Sequence, residues 1–204
     1  MAKYRTSLPQ LGDKTFLTDS GLETTLIFHE GVELPHMASI TLNANAEGEQ
    51  WLRDYFVRHI EIARTRKAGF VLESASWRAS PDWGDRLGYS LGELTELNRR
   101  SIALLAALRD EFETPQSPMP ISGNIGPRGD GYFPDQIMSG AEAQAYHAFQ
   151  CDLFAATEAD LISAFTMTHS SEAIGIARAA KAAGMPVVIS FTTETDGRLP
   201  SDEE

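Results

Sequence analysis

The stretch Phe16-Leu-Thr-Asp-Ser-Gly-Leu-Glu-Thr-Thr-Leu-Ile-Phe-His-Glu-Gly31 decides how the rest of the chain is read. It opens as a short apolar strand, Thr15 to Thr18, breaks at Asp19-Ser20-Gly21, and restarts as a helical turn with Leu22, Leu26 and Ile27 on one side. A carboxylate at the end of a first strand, followed by a glycine turn and a helix start, suits a small polar ligand. Asp19 can take an ammonium group, and the free backbone N–H groups around Ser20 to Glu23 can take a carboxylate. The same residues read equally as a helix cap and a plain turn.

Moving outward, the loop from Gly31 to Asn45 is irregular, and a helix follows from about Ala46 to Lys67. Its apolar face is Trp51, Leu52, Tyr55, Phe56, Ile60 and Ala63. Phe70 to Ser74 is a second strand, followed by a polar and aromatic loop to Gly88. Ser90 caps a helix to about Phe112, with Leu94, Leu97, Ile102, Leu105 and Leu108 inward. Pro120 to Asn124 is a third strand with a glycine-rich loop behind it. A helix from Ala141 to Thr157 with Tyr146, Phe149 and Leu153 inward follows, then a strand at Asp160 to Ala164. Glu172 to Ala183 forms an alanine-rich helix, and Pro186 to Phe191 a fifth strand.

Short, wholly apolar strands alternating with helices select a parallel α/β fold. Polar residues gather at the carboxyl ends of the strands: Asp19, Glu73, Asn124, Thr166 and Glu194. Both a β/α barrel and an open doubly wound sheet bind ligands there, so this clustering does not separate the two.

The 204 residues suffice for one domain with a sizeable core. A net charge of −12 without any Lys/Arg run argues against a nucleic-acid partner. No segment approaches the ~20 apolar residues of a membrane span, so a soluble, cytoplasmic protein is expected. The single cysteine, Cys151, excludes an internal disulfide and any metal site of several thiolates within these residues.

Three stretches in order, Thr18-Asp-Ser-Gly-Leu-Glu-Thr-Thr-Leu26, Glu73-Ser-Ala-Ser-Trp-Arg-Ala-Ser80 and Ser122-Gly-Asn-Ile-Gly-Pro127, resemble the homocysteine S-methyltransferase family. The resemblance implies a (β/α)8 TIM barrel that binds a small-molecule thiol, homocysteine, and transfers a methyl group from a donor to its sulfur. It implies zinc held by three cysteine thiolates on later strands, where it lowers the thiol pKa. It also places the substrate ammonium at Asp19.

Departures from the family pattern follow. Only about five of eight βα units are written before Ser201-Asp-Glu-Glu204, and the late cysteine motifs are absent, so no metal ligand is expected in this chain. Residues 1–204 are thus read as the N-terminal part of one homocysteine-binding barrel of about 300 residues, inactive by themselves. Phe165 stands where the family commonly has a glutamate that helps hold the amino group, and Ser20 where glycine is usual. Glu73 or Glu194 could substitute for the lost carboxylate, or the thiol is not homocysteine.

The expected substrate-binding set is therefore Asp19, Ser20, Gly21, Glu73, Asn124, Thr166 and Glu194, with no catalytic residue assigned. Trp77, Trp83 and Tyr132 could wall a sulfonium or ammonium donor, and an Arg78 salt bridge is the bland reading of Glu73. His169 reads as a helix-start hydrogen-bonding residue. A metal-free barrel enzyme using Asp19, Glu73 and Glu194 for acid–base chemistry stays open. So does a non-catalytic binding fragment that dimerises through exposed strands, and an oligomer is possible in any of these cases.

Overall fold

The computed structural model describes residues 1–134 and 137–201; the last three residues of the expected domain lie outside it. Five strands alternate with helices: β1 (Phe16–Thr18), α1 (Leu22–Phe28), α2 (Ala46–Thr65), β2 (Gly69–Glu73), α3 (Pro81–Leu87), α4 (Leu91–Phe112), β3 (Ile121–Ile125), α5 (Gly140–Ala155), β4 (Leu161–Met167), α6 (Ser170–Ala182) and β5 (Val187–Phe191). All neighbouring strands pair in parallel, in the order β1-β2-β3-β4-β5. A doubly wound sheet reverses its order at a switch point. The unbroken progression here, with the sheet curled, is a half-barrel, the first five units of a TIM barrel.

Local chemistry explains the element ends. Ser90 and Glu93 form a reciprocal capping box at α4, and Ser139 and Glu142 another at α5. Asn45 caps α2 through its side chain, and His169 caps α6 by accepting from the Glu172 N–H at 3.2 Å. Gly21 stands before α1 at φ 64°, the left-handed region that glycine enters without strain. The turn therefore needs Gly21, while Asp19 does not cap the helix.

The core lies between the sheet and its helices. Leu52, Phe56 and Ile60 of α2, Ile102 and Leu105 of α4, and Phe154 of α5 are buried together with Phe70, Leu72 and Ile121 of the strands. On α5 the buried stripe is rotated from the expected one. Tyr146 and Phe149 are only half-buried, whereas His147, Gln150 and Cys151 are inside. The polar members are tolerated because they find partners: Gln150 donates to the Ser76 carbonyl at 3.1 Å and His147 meets Glu172 at 2.9 Å.

Three stretches differ from the sequence reading. The loop after β2 contains α3, which proline at its first position permits. The segment from Gly31 to Asn45 is organised by 3-10 turns at Pro35–Met37 and Ser39–Ala44. β4 continues past Ala164 through a register shift to Met167, bringing Phe165 and Thr166 into the strand. At the amino ends of the strands, Asp160 is buried with Arg109 at 3.1 Å and accepts from the Ile121 and Tyr4 N–H groups. Among the described residues, no helix is long and apolar enough to cross a membrane.

Candidate functional site

The carboxyl ends of the strands enclose a cavity of about 490 Å³, within the range of small-molecule sites. Glu73, the last residue of β2, lies at its inner wall and is 6 % exposed. Ser163 of β4 donates to Glu73 Oε1 at 3.0 Å, and Ser122 of β3 donates to Ser163 at 2.7 Å. The carboxylate is thus held by its neighbouring strands on one side only. Its other oxygen, Oε2, is buried without a partner. Burial pushes the Glu73 carboxyl up to about 8 against the serine hydrogen bonds, with the nearby Asp19 charge adding to the rise.

Asp19 follows β1 and accepts from the Tyr55 hydroxyl at 3.0 Å; the same hydroxyl lies 3.1 Å from the Ser20 carbonyl. Loss of water raises the Asp19 carboxyl to about 6, moderated by the Tyr55 hydrogen bond and by His59. Glu23, on the first turn of α1, turns back into the same cavity. Ser39 donates to it at 2.6 Å, and burial raises it as well.

Asn124 of β3 presents an Oδ1 that is buried and unpartnered. Its backbone is pinned by two serines of the Ser74-Ala-Ser76 run. Ser74 accepts from the Asn124 N–H at 2.9 Å, and Ser76 donates to its carbonyl at 2.8 Å. Thr166 has φ 60°, a strained conformation for a β-branched residue. Its hydroxyl accepts from Trp77 Nε1 at 3.2 Å. At Gly126, where the following loop starts, a Cβ would stand 2.4 Å from the Trp77 carbonyl. Only glycine lets that loop approach the indole.

Of the sequence-predicted residues, the cavity brings together Asp19, Gly21, Glu73, Asn124 and Thr166. Ser20 and Glu194 are not among its lining. Ser20 is exposed, its carbonyl turned to Tyr55, and Glu194 closes an exposed turn whose N–H donates to the Arg198 carbonyl. Trp77 and Tyr132 line the cavity, whereas Trp83 is buried on α3. Arg78 does not pair with Glu73; it lies 3.6 Å from Asp130 and donates to the His36 carbonyl. Glu23 and Arg78 enter the lining without having been singled out as ligand groups. The Glu23 signal was available in its place one turn beyond the strand end.

A second polar cluster lies apart from the cavity. Glu172 of α6 meets His147 at 2.9 Å and His169 at 3.2 Å, and accepts from the Arg128 N–H at 2.8 Å. Despite its burial, those hydrogen bonds hold its carboxyl down to about 2. The cluster fixes the turn through Pro127 and Arg128 over the strand ends. Cys151 is fully buried and its thiol is pushed up to about 12 by burial. Among the described residues, no group of three or more His, Cys, Asp or Glu side chains is arranged to hold a metal ion.

The profile of the family described as Homocysteine S-methyltransferase matches residues 16–204. Among solved structures, the homocysteine methyltransferase MmuM from Escherichia coli in its metallated form aligns with a TM-score of 0.77 at 19 % identity. That alignment covers 97 % of this chain and 69 % of that one. The oxidized form gives a TM-score of 0.77 at 19 % identity, covering 96 % and 68 %. The apo form gives 0.67 at 20 %, covering 97 % and 66 %. At these identities the likeness speaks for the fold alone. No curated protein matches the sequence significantly.

Proposed function

Since the chain belongs to the homocysteine S-methyltransferase family, we propose that its cavity binds homocysteine and that the protein transfers a methyl group to the thiol sulfur, giving methionine. The observation that carries the reading is the unpartnered Glu73 Oε2, buried near Asp19 in a cavity that the equally unpartnered Asn124 also lines. An ammonium group has three N–H donors and no acceptor, so one substrate amine satisfies all three. Glu73 thereby takes over from β2 what Phe165 no longer offers from β4. Gly21 and Thr166 shape the wall around the substrate, and Ser20 and Glu194 act through the turns they belong to.

The same proposal makes residues 1–204 the N-terminal part of one barrel, in which the wall described here binds substrate and further strands complete the catalytic set. The 69 % coverage of MmuM supports it. So do the exposed residues of β5, Val188 and Phe191. Metal binding belongs to the family's metallated member. The described residues do not fit zinc: Cys151 is sealed inside α5 and has no metal-ligand cluster around it. No step is assigned to the metal. A lone reduced cysteine and a free-thiol substrate suit the cytoplasm.

A second reading, acid–base chemistry without metal, draws on two neighbouring carboxyls raised to about 6 and about 8. Activity that survives exhaustive chelation favours it over methyl transfer through a zinc-bound thiolate.

The test of the main reading is calorimetric titration with L-homocysteine, with methionine formation followed when a methyl donor is added. An arriving ammonium favours the ionised carboxylates, so affinity is expected to rise between pH 6 and 8 as Asp19 and Glu73 lose their protons. No binding, and no methionine from any sulfonium or quaternary ammonium donor, defeats the proposal.

A further inference from the structure

The polar cluster on Glu172 lies apart from the cavity, yet one of its arms reaches the loop that walls it. Glu172 Oε1 faces His147 Nε2 of α5 at 2.9 Å and accepts from the Arg128 N–H, in the loop after β3, at 2.8 Å. Its other oxygen, Oε2, lies 3.2 Å from His169 Nε2. The helix cap decides where the His169 proton sits. Its Nδ1 accepts from the Glu172 N–H at 3.2 Å, so the hydrogen is on Nε2, toward the carboxylate. Two buried histidines thus hold the carboxylate in one orientation, and what that orientation fixes outside the cluster is a single backbone N–H.

That N–H is the root of the glycine-rich loop. The Arg128 side chain adds an ion pair with Asp82 at 2.8 Å, open to water on both sides and therefore a weak tether. On either side of Arg128 the loop packs against the Trp77 indole. The Gly126 N–H donates to the Trp77 carbonyl at 3.0 Å. At Gly131 a Cβ would stand 3.1 Å from Trp77 Cζ2 and 2.9 Å from Thr166 Oγ1, so the approach is close there as well. The Gly131 carbonyl accepts from the Thr192 hydroxyl, beyond β5, at 2.9 Å. The loop is held at its root by Glu172 and at its crest by Thr192, with the indole between. Trp77, Thr166, Asp130 and Tyr132, which the loop carries or touches, all line the cavity.

We propose that Glu172 is a positioning residue for the cavity: through the Arg128 N–H it sets the loop 126–133 against Trp77, so that this wall stands in place before a ligand arrives. Glu172 itself meets no ligand and acts from the scaffold. The assignment rests on the homocysteine reading for the identity of the ligand, whereas the loop and its anchor can be tested without one.

The experiment labels the protein with 5-fluorotryptophan and follows the Trp77 fluorine resonance, with Trp51 on α2 as internal reference. Amide hydrogen exchange of residues 126–133 and calorimetric titration with L-homocysteine accompany it. Glu172→Ala removes the acceptor. It is expected to shift or split the Trp77 resonance, to leave that of Trp51 in place and to speed exchange in the loop by about tenfold or more. Homocysteine should bind it about tenfold more weakly, because the wall must now be ordered on binding. Glu172→Gln keeps an oxygen for the Arg128 N–H and gives up only the His169 arm, where two N–H groups then face each other. Its Trp77 resonance should stay in place, with homocysteine affinity within about twofold of wild type. Arg128→Ala retains the N–H and should leave Trp77 where it is. Arg128→Pro deletes the N–H while both histidines stay on the carboxylate, and should reproduce Glu172→Ala; it carries the test where Glu172→Ala does not fold. Leu108→Ala, a core substitution in the last turns of α4, lowers stability away from the loop and should not move Trp77.

A Trp77 resonance unmoved in Arg128→Pro or in folded Glu172→Ala overturns the assignment. So does one moved as far by Glu172→Gln, Arg128→Ala or Leu108→Ala, or a homocysteine affinity equal in wild type and Glu172→Ala. The expected Trp77 and exchange results in a protein with no affinity for homocysteine would keep the loop anchor and defeat the homocysteine reading. Homocysteine binding indifferent to the loop would do the reverse.

Discussion

Glu73 and Glu172 are buried to a similar degree, 6 % and 2 % exposed, yet one carboxyl is pushed up to about 8 and the other held at about 2. Burial penalises the ionised form in both places. Glu172 is compensated by two histidines and a backbone N–H. Glu73 has serine hydroxyls on one oxygen and nothing on the other. Burial by itself therefore does not mark a functional carboxylate in this molecule. Glu172, faced by two histidines and a backbone N–H, belongs to the scaffold, whereas Glu73, with one buried oxygen unpartnered on a cavity wall, is where the proposed ligand would bind.

The comparison breaks most visibly at Glu172. Glu172→Ala leaves His147, His169 and the Arg128 N–H without their shared acceptor, and is expected to cost about 4 kcal/mol in chemical denaturation. The wild-type contribution has a definite pH window. The folded carboxyl lies below its ordinary value of 4.5, so its stabilisation is complete above that pH and is lost as pH falls toward 2. Acid unfolding of the variant should lack this component.

Glu73→Gln should move stability the other way. The Glu73 carboxyl lies above its ordinary value of 4.5, so the native state is penalised progressively as pH rises from 4.5 toward 8. The substitution is expected to be nearly neutral at pH 4 and to stabilise by about 2 kcal/mol at pH 8, tempered by water entering the open cavity. Denaturation at the two pH values measures it, and a loss at pH 8 would contradict the comparison. The same variant should bind homocysteine about tenfold or more weakly.

The smallest expected effect sharpens the comparison at Phe165. Adding Phe165→Glu to the Glu73→Gln variant puts one carboxylate back on the opposite wall. Homocysteine affinity should recover by about fivefold, roughly 1 kcal/mol. Titration of the double variant against the single one reads this directly, and no recovery would detach Glu73 from amine binding.

Much of this arrangement can be read in the order of residues, for identifiable reasons. Apolar runs such as Phe70-Val-Leu72 sit in strands because both faces of the sheet are covered. Ser90 with Glu93 three residues later announces its helix. The alternation did not separate barrel from open sheet, because strand order is a long-range pairing with no local signature. α3 was hidden by Pro81 and Gly84, which punctuate a loop as readily as they start a short helix. In the site, Asp19, Glu73, Asn124 and Thr166 were reachable from one rule, that ligands meet strands at their carboxyl ends. That rule says nothing about side-chain direction, so it admitted Glu194, which is not in the lining, and passed over Glu23, which reaches back from a helix; Ser20 entered separately, for the amides of its turn. Neither Glu73 Oε2 nor Asn124 Oδ1 shows its lack of a partner in sequence, since that depends on what three other strands fail to supply.

Tyr55 reaches from α2 with a single hydroxyl proton toward two oxygens, Asp19 Oδ2 at 3.0 Å and the Ser20 carbonyl at 3.1 Å. One proton serves one of them well at any instant. If the proposed amine binds at Asp19, the phenol would be freed to settle on Ser20. Filling the inner wall would then reach the first βα turn through Tyr55, whose ring would offer a spectroscopic readout of occupancy.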